Sequence, residues 1–213
     1  MASFNSLRLV AMFNAIADAM NSGKDRLCAL DGVIGDADHG IAMELGFNAI
    51  RQALSQIDAS VTEPTNVFNL AAKSFLNAIG ASSGPLYATA FMRAGAVVKG
   101  KQQLSDGDIV AIIQAMAKGI QDRGKAEPGE KTMVDVWHPA SLAIGSAFST
   151  GRSLVDCLDA ALSAANAGAE ATKSMIAAKG RAARLGERSL GHMDPGAASA
   201  VIIIAAMRFS LIV

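Results

Sequence analysis

Apolar residues recur three and four positions apart along nearly the whole chain, and alternation of period two is rare. That pattern predicts helices and no sheet. In the first segment Leu9, Met12, Phe13, Ile16 and Met20 keep the helical spacing, predicting an amphipathic helix over 6–23. The stretch 3–20 imitates a signal peptide, but Asn14 and Asp18 interrupt its apolar run. Capping and breaking signals divide the rest. A second helix is expected over 39–57, a third after the turn at Pro64 over 66–79, and a fourth from Gly80-Ala81-Ser82-Ser83-Gly84-Pro85 to about 101. Ser105 with Asp108 forms a capping box for a fifth helix stopping at Gly124; Thr132 with Asp135 caps a sixth, which Pro139 should kink. Ser153 with Asp156 opens a seventh that reaches about 179, and Asp194-Pro195-Gly196 supplies an N-cap and an N1 proline for an eighth. The closing run 201–213 is shorter than the roughly 20 residues of a spanning helix and contains Arg208, so it reads as a buried core helix. The expectation is one all-α domain of eight helices over 1–213, without repeat or linker.

Composition narrows the function classes. Nineteen basic residues cancel nineteen acidic ones, which removes the electrostatic footprint of a nonspecific nucleic-acid binder. Neither nucleic acid nor a membrane is an expected partner. At 213 residues the chain buries enough core to need no structural metal or disulfide. Cys28 and Cys157 stand apart, without C-x-x-C spacing, and suit a reducing compartment such as the cytoplasm as inert thiols.

Candidate chemistry concentrates in Asp31-Gly32-Val33-Ile34-Gly35-Asp36-Ala37-Asp38-His39-Gly40. Three carboxylates within eight residues repel one another unless a cation sits among them, and hard oxygen ligands select magnesium ahead of calcium. The EF-hand pattern is missed, because the twelfth position after Asp31 is Ala42. The plainer alternative is a solvated acidic turn capping the second helix. Three helix starts offer free N–H groups to an anion: Gly40, Ser82-Ser83-Gly84 and Asp194-Pro195-Gly196. No G-x-x-x-x-G-K-[ST] and no G-x-G-x-x-G after a strand is present. His39 reads equally as a phosphate or hydroxyl partner and as a structural donor. His192 is placed as an ordering residue of the last loop and His138 as a packed helix residue. Arg181, Arg184 and Arg188 with Lys179 form the one basic cluster, a surface feature by default in which a nucleotide phosphate would find a partner. The run 125–131 suits an exposed loop or a mobile cover, and Met133 fits the core or an adenine pocket.

Four motifs, Gly35 to Gly40, Gly80 to Pro85, Gly124 to Met133 and Gly186 through Gly196, together resemble the nucleotide-binding L subunit of dihydroxyacetone kinases, in the family's order. The resemblance implies an eight-helix antiparallel up-and-down barrel that binds ADP or ATP at one end through two magnesium ions. By motif, Asp31, Asp36 and Asp38 would hold the metals. His39, Gly40, Ile41, Ser82 and Ser83 would approach the phosphates, and Gly124, Met133, Arg181, Asp194, Pro195 and Gly196 would complete the nucleotide site. No nucleophile is implied; transfer would rest on the metal-bound aspartates. A cytoplasmic kinase subunit is implied that works only with a separate sugar-binding K subunit, on dihydroxyacetone or another short ketose, its phosphoryl group coming from a phosphotransferase-system protein or from free ATP. Ala42 departs from a position that is often Asn in relatives, so Ala42→Asn is expected to restore a phosphate contact. Two readings of other classes stand beside this one: a helical nucleotide-binding adaptor without kinase activity, and a calcium-binding helical protein.

Overall fold

The structure, a computed structural model, describes residues 4–80 and 82–212. Ala81 of the second motif and residues 3 and 213 of the terminal segments lie outside the described residues. Eight α-helices carry the chain: α1 (Ser6–Ile34), α2 (His39–Leu54), α3 (Pro64–Ala78), α4 (Ser83–Val97), α5 (Asp106–Gly124), α6 (Val134–Ser149), α7 (Leu154–Ala171) and α8 (Pro195–Ile212). Two 3-10 segments, Thr172–Ser174 and Ala182–Ser189, lie between α7 and α8. Among the described residues there is no strand, only an isolated bridge between Phe4 and Leu104.

Local signals explain most of these limits. The Ser105–Asp108 capping box is formed in both directions, and the Ser153 side chain accepts from the Asp156 N–H. Pro64 and Pro195 occupy first turns, where a missing N–H costs nothing. Two expected limits read differently. The first helix does not stop at Gly23: a Cβ there would stand 2.9 Å from Ile202 Cδ1, so this glycine serves the close approach of α8 and the helix runs on to Ile34. The seventh ends at Ala171, well before 179, because the backbone beyond it is claimed from elsewhere, with Ala178 N–H donating to Glu130 O. Helix α6 continues through Pro139 as a single element.

Each helix packs on the next, and α8 packs back on α1, closing the ring. Consecutive helices are therefore neighbours around the ring, as an up-and-down bundle requires. The interior is filled by aromatic side chains from five helices: Phe13, Phe47, Phe68, Phe75, Tyr87, Phe91 and Trp137, mostly edge-to-face at centroid separations of 5.2 to 6.5 Å. Helix α8 is long and apolar enough to cross a membrane, yet most of it is buried between α1 and α7, as a core helix should be. Cys157 is buried, Cys28 partly so, and both are free thiols.

Candidate functional site

The four connections that join α1 to α2, α3 to α4, α5 to α6 and α7 to α8 converge on a cavity of about 340 Å³. Its acidic side is built by α1 and the turn after it. Asp31, on the last turn of α1 and only 8% exposed, accepts from the backbone N–H groups of Asp38 (3.0 Å) and His39 (3.3 Å). One carboxylate on α1 thus caps α2, the orphan donors at that helix start being met from outside its own chain segment. Asp38, at the N-cap position itself, makes no side-chain cap bond, so its carboxylate is left for other work. Ala37 takes a left-handed conformation, φ 64°, and turns the chain so that ligand oxygens of Asp31, Asp36 and Asp38 all lie within 4.8 Å of one another. The Arg181 guanidinium meets Asp36 at 2.6 Å. Burial, then the neighbouring charge of Asp36, raises the Asp38 carboxyl above its usual range, with Asp31 adding to the effect and Arg181 opposing it.

Beneath the acidic turn, His39 Nε2 pairs with Ser199 Oγ at 2.9 Å. Ser199 spends its own hydrogen on Gly196 O at 3.0 Å, so the imidazole donates from Nε2 and keeps Nδ1 as an acceptor. Burial lowers the His39 pKa, against an opposing pull from Asp31, which favours the neutral ring. Opposite stands the start of α4, which has no side-chain cap. Ser82 there holds φ 50°, and Gly84 is obligatory because a Cβ would fall on Ile79 O. The far wall comes from 125–133 and from the start of α8. There Asp194 Oδ2 accepts from Ala197 N–H at 2.7 Å, and Ile34, Leu86, Ile120 and Ala126 add an apolar lining.

Burial pushes the Asp194 carboxyl up to about 7, although the Ala197 N–H and Lys131 both pull it down. A carboxyl raised above its unfolded value near 3.8 favours the folded state only while protonated. Its contribution is complete below that value and is lost as pH rises through 7. In metal-free protein, Asp194→Asn, which keeps an N-cap oxygen, is expected to flatten the fall in urea-unfolding free energy between pH 5 and pH 8 by on the order of 2 kcal/mol. An unchanged slope would mean that Asp194 is ionised throughout.

Residues 33–209 match the DAK2 domain family. The chain belongs to that family. It is 36% identical over 202 residues to the PEP-dependent dihydroxyacetone kinase, ADP-binding subunit DhaL, of Escherichia coli K12, the match covering 95% of each chain. To the PEP-dependent dihydroxyacetone kinase 1, ADP-binding subunit DhaL, of Listeria innocua it is 38% identical over 194 residues, 91% of each chain. Among solved structures it resembles the dihydroxyacetone kinase from C. freundii in complex with AMP-PNP and Mg2+, with a TM-score of 0.73 and 25% identity. The match covers 99% of this chain, which spans about a third (35%) of that longer one.

Twelve of the fourteen residues singled out from the sequence line the same cavity. The exceptions are Gly40 and Ile41. Gly40 is buried against α1, where a Cβ would lie 2.1 Å from Lys24 O and 2.8 Å from Cys28 Sγ, and the Ile41 side chain points away and is 48% exposed. Neither residue lines the cavity. Ala42 packs against the apolar core and does not line the cavity, so the phosphate contact expected of Asn at this position has no support in the fold. The run 125–131 is not simply an exposed cover: Ala126 and Lys131 are buried, and Asp135 fastens the loop through the N–H groups of Gly129 and Thr132. Lys131, which the third motif contains but to which the sequence assigned no role, also lines the cavity. Lys179 also lines the cavity, paired with Glu130 at 3.5 Å rather than ending a helix.

Proposed function

We propose that this chain is the magnesium- and ADP/ATP-binding subunit of a dihydroxyacetone kinase, supplying a phosphoryl group to a sugar held on a separate K subunit. The observation that carries the reading is the convergence of three carboxylates, within 4.8 Å, on a cavity that also receives the uncapped start of α4. The donor set fits magnesium: three hard oxygens whose mutual repulsion is only partly answered by Arg181, with open sides for phosphate oxygens. Asp31, Asp36 and Asp38 would hold the metal, two ions in our reading. Bound there, magnesium would neutralise charge on the terminal phosphates.

The chain's own groups then divide the remaining work. Backbone N–H groups at the start of α4, with the Ser82 and Ser83 hydroxyls, cradle phosphate oxygens, where the helix dipole favours negative charge. Neutral His39, fixed by Ser199, holds an acceptor nitrogen in place at the acidic turn. Ile34, Leu86, Ile120 and Ala126 exclude water from one side of the cavity and suit a purine face. Nothing here serves as a nucleophile; positioning and charge neutralisation account for the step. The whole-length likeness to subunits described as ADP-binding and PEP-dependent supports ADP kept as a resident carrier that a phosphotransferase-system protein recharges in the cytoplasm.

Calorimetry on protein stripped of nucleotide tests this reading. ADP is expected to bind in magnesium and to be lost in excess chelator, and with ATP or a phosphorylated phosphotransferase-system protein supplied as donor, addition of a dihydroxyacetone-loaded K subunit should give sugar phosphorylation. Absence of nucleotide binding at millimolar magnesium would reduce the likeness to one of fold.

A further inference from the structure

Lys131 is a buried ionisable side chain, 1% exposed, for which the reaction above has no use. It sits in left-handed backbone, φ 59°, and its ammonium donates to the carbonyls of Thr172 and His192, 41 and 61 residues further along the chain. Burial lowers its pKa, with Asp194 and Asp135 holding the charge in place. Desolvating an ammonium is costly, and here the cost is offset only by the two carbonyls and the neighbouring carboxylates. Lys131 itself lines the cavity, and the carbonyls it holds lie just behind its wall, His192 two residues before the lining residue Asp194. The loop 125–133 ends in Met133, whose Cε lies 3.5 Å from the position a Cβ on Gly196 would take. Asp194 N–H donates to Thr172 Oγ1 at 3.0 Å, and Gly191 N–H to Lys173 O at 2.8 Å. Asp135 completes the frame from the other side, through Gly129 and Thr132.

We propose that Lys131 is a positioning residue for the nucleotide, its ammonium fixing Met133 against Asp194 and Gly196 across the far wall of the cavity. This rests on the nucleotide reading of the site. The ammonium ties three chain segments together at one point, reinforcing the single bonds that Asp194, Gly191 and Ala178 make between them.

Lys131→Met keeps the aliphatic stem and removes the clamp. Its ADP affinity in magnesium should fall at least tenfold, with faster amide hydrogen exchange at Gly191 and Asp194. The core variant Ile144→Val, destabilised away from the site, should keep native affinity and native exchange at those amides. Binding by Lys131→Met within twofold of the native protein would overturn the proposal while leaving the nucleotide reading intact, whereas a native protein that binds no ADP would overturn both. If Lys131→Met does not fold, the native protein decides. Saturating ADP with magnesium should then slow exchange at Gly129, Gly191 and Asp194 together, and unchanged exchange there would count against the clamp.

Discussion

Asp36→Ala and Asp38→Ala are each expected to weaken magnesium-dependent ADP binding by about 100-fold, equivalent to roughly 2.7 kcal/mol, while leaving thermal unfolding of the metal-free protein unchanged or slightly raised. Both side chains are exposed, and Asp36 has one ion-pair partner, Arg181. Neither supports the fold. Taking one away relieves repulsion in a group of three like charges, so the metal-free protein loses nothing. Asp31→Ala should behave differently, because Asp31 is buried and caps α2 with two bonds. It should lose binding and, by the usual worth of a cap, about 1 kcal/mol of stability as well. Calorimetry with and without magnesium, beside thermal unfolding in chelator, separates the two behaviours. Native affinity in both exposed-aspartate variants would show that the acidic turn is only a cap.

Gly40→Ala is expected to be strongly damaging for a change of one methyl, costing about 3 kcal/mol of stability and with it most nucleotide binding. The added Cβ would lie 2.1 Å from Lys24 O and 3.0 Å from Cys28 N, both backbone atoms of α1. Backbone in mid-helix does not step aside, so α1 and α2 must part, and Asp31 and Asp38 separate with them. Gly145→Ala is the matching control. Its Cβ would stand 2.4 Å from Gln114 Nε2, the far end of a flexible side chain whose bond to Ser141 O is long at 3.4 Å. Here the helix gain of alanine over glycine, roughly 0.5–1 kcal/mol, offsets most of the disturbance. Urea unfolding of both variants distinguishes steric parting of helices from a general intolerance of alanine.

Much of the fold is legible in the sequence because every helix has a core-facing stripe and most begin at a cap or proline that acts locally. The two misread ends share a cause. Gly23 looks like a terminator, yet it is a contact surface for Ile202, a residue nearly the whole chain away. The alanine-rich stretch before 179 keeps a helical look, while its backbone is paired to Glu130 and its neighbouring carbonyl to Lys131. The acidic triad is visible because three like charges around glycines are unusual in themselves. The burial of Lys131 is invisible because it lies in a charged, turn-rich run, and its partners are two carbonyls far along the chain. Ile41 is a different case: its place beside Gly40 is evident, but which way the first turn of α2 rotates its side chain depends on the contact of Gly40 with α1.

The cavity is fed by connections of one kind only, each leading from an odd-numbered helix to the even-numbered one after it. In a ring of alternating helices, the turns from α2 to α3, α4 to α5 and α6 to α7 therefore gather at the opposite end, together with the start of α1 and the finish of α8. Chemistry and tolerance to change are thereby separated along the long axis. The chain can be lengthened, tagged or broken at those three turns without moving a ligand oxygen, whereas a single inserted residue in 35–38 would rotate the acidic turn out of register with the helix that caps on it.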